Sequence, residues 1–120
     1  MAVLHYRELI AWQKAMDLAS SVYEITRAFP KEELYGLVAQ VRRAVISIPS
    51  NIAEGQGRGV GAEFKHHLRI ADGSRQEVET QLLLAARLGY VSESLIVPAL
   101  ALGEEVGRLI AGLHRSLTGN

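Results

Sequence analysis

The sequence predicts an all-α protein, an antiparallel up-down-up-down four-helix bundle. Two observations carry that expectation. Four segments repeat apolar residues at alternating three- and four-residue steps, the signature of one helix face turned to a core. Between them stand breakers, Pro30, four glycines between 55 and 61, and Gly89, with connections short enough that consecutive helices pack antiparallel. At 120 residues the chain forms one domain, 1–120, with helices expected at about 6–29, 32–56, 62–88 and 93–117.

In the first helix, Leu9, Trp12, Met16, Ala19 and Tyr23 form one stripe, and Leu18, Val22, Ile25 and Phe29 form a second. An apolar arc that wide serves two neighbours. Pro30 ends this helix, and Lys31-Glu32-Glu33 supplies an acidic first turn suited to the positive end of the next. The second helix carries Leu34, Val38, Val41, Val45, Ile48 and Ile52 inward, with Pro49 expected to kink it or force a local rearrangement.

Glycine at 55, 57, 59 and 61 stops the second helix, because no helix survives that density of backbone freedom. The third helix turns Phe64, Leu68, Ala71, Val78, Leu82 and Ala85 inward. Asp72-Gly73-Ser74 reads locally as a turn, yet the apolar phase crosses it without a shift, so one continuous helix is expected. Gly89 reads as a left-handed C-terminal cap and Ser92 as an N-cap. The last helix then places Leu95, Ala99, Leu102, Val106, Leu109 and Leu113 inward. Antiparallel pairing about the loop near Arg58 and Gly59 sets Arg43 level with Glu77; an interhelical ion pair is the expectation and two side chains turned to water the alternative.

Composition narrows the function. Apolar residues make up 48% and charged residues 22%, the proportions of a folded protein. The absence of cysteine removes disulfides and thiolate metal sites, and a cytoplasmic location is expected. No apolar run approaches the roughly 20 residues that cross a bilayer, and no signal-peptide core follows Met1, so neither membrane insertion nor secretion is expected. Thirteen basic and thirteen acidic residues cancel, but unevenly: residues 42–75 hold six basic and three acidic groups, a local excess of three. Arg42, Arg43, Arg58, Lys65 and Arg69 of that segment are the candidate phosphate contacts. The competing reading is a solvated helix face with structural ion pairs.

Catalytic chemistry finds little support. Glu63 and His66 have the Glu-x-x-His spacing of a di-iron bundle, but the second copy that such a site needs is absent, so no metal is expected. No Gly-x-Ser-x-Gly elbow occurs, and the glycine run lacks the Gly-Lys-Ser/Thr ending of a phosphate-binding loop. Trp12 and Tyr23 sit on an apolar stripe, where aromatic side chains anchor a core or an interface. The chain is expected to be nonenzymatic and to need no cofactor.

Several runs resemble a known family: Trp12 to Ala15, Phe29 to Lys31, Tyr35 to Leu37, Gln40 to Ala44, Ser47 to Gly55, Ile70 to Ser74 and Leu88 to Tyr90. In order and spacing they are similar to the four-helix-bundle proteins encoded in intervening sequences of bacterial 23S rRNA genes. Members of that family resemble the accessory protein of diversity-generating retroelements, a pentameric barrel that associates with a reverse transcriptase and nucleic acid. The resemblance therefore implies a homopentamer, with RNA or DNA, a reverse transcriptase or another protein as partner. A protein-binding scaffold without nucleic-acid affinity is the alternative, supported by the zero net charge.

Overall fold

The structure, a computed structural model, describes residues 5–118. Four helices, α1 (Ile10–Thr26), α2 (Leu37–Gly57), α3 (Ala62–Arg87) and α4 (Glu93–Thr118), account for most of the chain. One-turn 3-10 helices at Tyr6–Glu8 and Lys31–Glu33 precede α1 and α2. The helices close a ring in which α1 packs on α2, α2 on α3, α3 on α4 and α4 on α1. That is the expected antiparallel bundle. Its extents are 49 × 24 × 19 Å, in keeping with a 26-residue helix about 39 Å long.

The core follows the predicted stripes on α2 and α3, and on α1 in part, where Ala11 and Ala15 are buried beside the second stripe while Leu9, Trp12, Ala19, Tyr23 and Ile25 are half-buried. Leu18, Val22 and Phe29 are buried from the first segment, Val38, Val41, Val45, Ile48 and Ile52 from α2, and Phe64, Leu68, Ala71, Val78, Leu82 and Ala85 from α3. Helix α4 departs from the expectation. Its buried positions are Ile96, Ala99, Gly103, Val106 and Ile110, whereas Leu95 is 57% exposed and Leu102, Leu109 and Leu113 are half-buried. This helix is apolar over a broad arc, so periodicity leaves its rotation open. Small residues settle it: a Cβ on Gly103 would stand 3.4 Å from the Glu79 carboxylate, and one on Gly107 would stand 2.7 Å from Arg75 Nε. α4 turns its glycines towards the long polar side chains of α3.

The expected start of the second helix changes. The second helix begins at Leu37, five residues later than expected, and Leu34 is half exposed outside it. Glu33 still serves the helix start, because its carboxylate accepts the Leu37 N–H at 2.9 Å and the Tyr90 hydroxyl at 2.8 Å. The Leu37 bond, followed by that of Tyr90, holds the Glu33 pKa below the ordinary carboxylate range. Tyr90 also packs its ring 5.9 Å from that of Phe29, which ties the two loops at this end together. Helix α2 runs unbroken through the buried Pro49, and α3 runs unbroken through Asp72-Gly73-Ser74. Gly89 takes the expected left-handed conformation with φ of 78°. Ser92 immediately precedes α4, with its hydroxyl 3.2 Å from that of Ser94.

The α2–α3 seam is polar on its solvent side. Gln81 donates to Gln40 at 3.4 Å, Ser74 to Ser47 at 2.9 Å, and His67 Nδ1 lies 2.9 Å from Asn51 Oδ1. Each pair of numbers sums to about 120, the register of an antiparallel pair joined near residue 60. Arg43 and Glu77 line the same groove at the expected height. The ion pair expected between them does not form, however. Both residues are exposed, and no Arg43–Glu77 contact stands among the ion pairs within 4.0 Å of the described residues. Water solvates the two charges well enough that holding long side chains together brings no gain.

Candidate nucleic-acid interface

The five basic residues singled out by the sequence do not converge on one surface. Arg42, in the second turn of α2, reaches back to the end of α1. Its Nε donates to Thr26 Oγ1 at 2.9 Å, its Nη2 donates to the Tyr23 carbonyl at 3.3 Å, and its guanidinium lies 4.4 Å from the Tyr23 ring centroid. Thr26 passes the interaction on by donating to the Val22 carbonyl at 2.8 Å. The end of α1 has unpaired carbonyls and a negative partial charge, and Arg42 answers both. Replacing Arg42 by Ala is expected to destabilise the bundle by about 1–2 kcal/mol. Lys should restore only part, lacking the planar fork that bonds two acceptors while stacking. Urea unfolding of the two variants checks this, and equal stability of Ala and wild type would refute the clamp.

Arg58 lies just past the end of α2 and is exposed, 3.1 Å from Glu54 and 3.7 Å from Glu63. Its charge is matched, though by exposed pairs that contribute only a few tenths of a kcal/mol. Lys65 is half-buried on α3, and Arg69 follows one turn later with Nη1 3.2 Å from His114 Nε2 of α4. Along the axis of α2, Arg42 and Arg43 stand about 24 Å from the turn that holds Arg58. Only Lys65 and Arg69 share a helix face.

Sequence reasoning missed the residues that complete Arg69's surroundings. A groove of about 460 Å³ between α3 and α4 is lined by Arg69, Asp72 and Arg75 from α3, and by Gly107, His114 and Arg115 from α4. Arg75 donates to Asp72 Oδ1 at 2.8 Å and to Glu79 Oε2 at 2.6 Å. Burial alone lowers the Arg75 pKa, but Asp72 and Glu79 outweigh it and hold the guanidinium above its ordinary value. The signal was present in α4 as Gly103, Gly107 and Ala111, small residues at four-residue spacing that leave room for long side chains from a neighbour.

A second groove, on the opposite edge of the ring, is of different chemistry. Between α1 and α2 a concavity of about 530 Å³ is walled by Tyr6, Trp12, Met16, Tyr23, Ile46 and Pro49. This is the outer stripe predicted on the first helix, joined by residues of α2. It packs against the core only along one side: Met16 is 43% and Ile46 44% exposed. Tyr6 meets Trp12 edge-on, with ring centroids 5.3 Å apart.

Among the described residues, no group of three or more His, Asp or Glu side chains comes together as a metal cage, and no helix is long and apolar enough to cross a membrane. Glu63 of the Glu-x-x-His pair faces Arg58, and the His66 ring packs edge-on against that of His67. Fold and surface define a small four-helix bundle with one apolar and one basic interhelical groove. The chain matches the model of the 23S rRNA-intervening sequence protein family over residues 7–112, and it belongs to that family. No match was found among curated proteins.

Proposed function

We propose that this protein is a nonenzymatic, self-associating bundle that serves as an accessory to nucleic acid or to a ribonucleoprotein. The observation that carries the reading is the division of the surface between two edges of the ring. The apolar groove at α1–α2 has the aromatic and aliphatic walls of a protein interface. The basic groove at α3–α4 lies on the edge farthest from it. Copies joined through the first would repeat the second around the outside of the assembly, where several weak phosphate contacts act together. Membership of a family named for rRNA intervening sequences supports RNA as the nucleic acid. The likeness of family members to the retroelement accessory protein supports five copies and a reverse transcriptase or another protein as a further partner, and the absence of cysteine supports a cytoplasmic setting.

Light scattering tests the assembly. A pentamer of the 13.1 kDa chain weighs about 66 kDa. Met16→Glu and Ile46→Glu, at exposed groove positions, should yield a folded monomer, and a monomeric wild type would remove the reading's premise. Fluorescence anisotropy tests the ligand: structured RNA should bind with an affinity that falls steeply as salt rises, and changing Lys65 and Arg69, which share a face of α3, to Glu should weaken it. A scaffold that binds only protein is the second reading, favoured by the zero net charge, and an absence of RNA and DNA binding at low salt would select it.

A further inference from the structure

We infer that the α3–α4 groove is a binding site for a phosphate group, with Arg69, Arg75 and Arg115 as its cationic contacts. The choice of anion rests on the nucleic-acid reading above; the site itself rests on four observations.

The carboxylates of the groove are already engaged. Asp72 accepts from Arg75 at 2.8 Å through one oxygen and from Gln76 at 3.1 Å through the other, while Glu79 accepts from Arg75 at 2.6 Å. Arg69 and Arg115, by contrast, have no carboxylate within 4.0 Å among the ion pairs of the described residues, and both are exposed. Among the described residues, two cationic side chains therefore stand at the rim without a carboxylate to balance them.

Arg75 is prepared for a third acceptor. Its Nε and Nη1 are bonded to Asp72 and Glu79, which fix the plane of the guanidinium, and among the described residues no protein acceptor meets Nη2. A guanidinium held in place loses little side-chain entropy when it binds an oxyanion, and its charge-assisted hydrogen bonds are stronger than neutral ones. The guanidinium is held further by its close approach to the backbone of α4. Gly107 presents no side chain, and a Cβ there would come within 2.8 Å of Arg75 Cζ.

The size and floor of the groove suit more than an inorganic ion. Its volume of about 460 Å³ falls in the range of small-molecule sites, and Leu68, Ile110 and Ala111 give it an apolar floor below the basic rim. A nucleotide fits that division, with its phosphate on the arginines and its less polar part on the floor. The same phosphate chemistry is presented by a nucleic-acid chain and by a free phosphate ester.

The test is a residue-resolved NMR titration of the full chain with inorganic phosphate, with a nucleoside 5′-monophosphate and with a short single-stranded oligoribonucleotide. Saturable shifts confined to residues 68–75 and 107–115 are expected. Arg69→Gln combined with Arg115→Gln should weaken binding at least about tenfold. Gly107→Leu should abolish it by displacing the Arg75 guanidinium and filling the groove, while leaving Arg69 and Arg115 in place. Arg27→Gln, at the end of α1, should leave it unchanged. Tighter binding of the oligoribonucleotide than of the monophosphate assigns the phosphate to a nucleic-acid chain; equal binding assigns a free ester. Shifts that never saturate, that spread over all basic faces, or that survive both groove variants overturn the site. RNA binding that persists with a silent groove sinks this inference alone, whereas a groove that fills in a protein with no RNA affinity sinks the accessory function alone.

Discussion

Truncating Leu82 to Ala is expected to lower the unfolding free energy by about 3–4 kcal/mol. Leu82 is 1% exposed in α3, within the hydrophobic cluster that all four helices supply. Two terms add in that figure: the transfer free energy of the deleted carbons, and the loss of dispersion contacts around a cavity that a rigid bundle refills only in part. Domains of this size are stable by about 5–15 kcal/mol in total, so the loss is a large fraction of the whole. Urea unfolding followed by circular dichroism measures it, at one fixed protein concentration because self-association would add to apparent stability. A change below about 1 kcal/mol would mean that the α3 stripe is not the centre of the core.

Enlarging Gly55 is expected to destabilise the bundle although the same substitution usually helps a helix. Alanine in place of glycine inside a helix gains about 1 kcal/mol from propensity. At Gly55 the added Cβ would stand 2.7 Å from the Cβ of His67 and 3.0 Å from Phe64 Cδ1. A Cβ is the root of a side chain and cannot swing away, so α3 itself must shift, at about 1–3 kcal/mol for overpacking of this kind. The clash outweighs propensity: Gly55→Ala should lose about 1 kcal/mol and Gly55→Val about 2–3 kcal/mol. Gly73 supplies the contrast within α3, since a Cβ there meets nothing within 4 Å. Gly73→Ala should therefore gain about 0.5–1 kcal/mol. If Gly55→Ala proved as stabilising as Gly73→Ala, the close approach of α2 and α3 at this end would be wrong.

Gly55 also illustrates what a sequence can and cannot reveal. Its place in a glycine-rich run marks it as part of a turn, and the turn is there, yet the residue lies within the last turns of α2 and is buried against α3. Its lack of a side chain serves packing as well as chain reversal. The candidate binding residues show the same gap. Arg42 and Arg43 are neighbours in a basic dipeptide, but one clamps the end of α1 and the other faces solvent beside Glu77. Arg69 was identified from its charge, whereas His114 and Arg115, about 45 residues further along, belong to its groove only because α3 and α4 run antiparallel.

The sequence by itself determined the helical class, the number of helices, the breaks at Pro30, the glycine run and Gly89, and the inward faces of α2 and α3. Those features depend on local backbone preference and on a single dominant apolar stripe, and both are written in residues close together along the chain. Tertiary structure alone decided the rotation of α4, the role of Arg42, the separation of Arg43 from Glu77 and the assembly of the α3–α4 groove. In each case the sequence permits more than one arrangement at similar local free energy. The choice falls to contacts between distant residues: Gly103 and Gly107 admit Glu79 and Arg75, Thr26 and Tyr23 offer oxygens to Arg42, and water competes successfully for an exposed pair of charges.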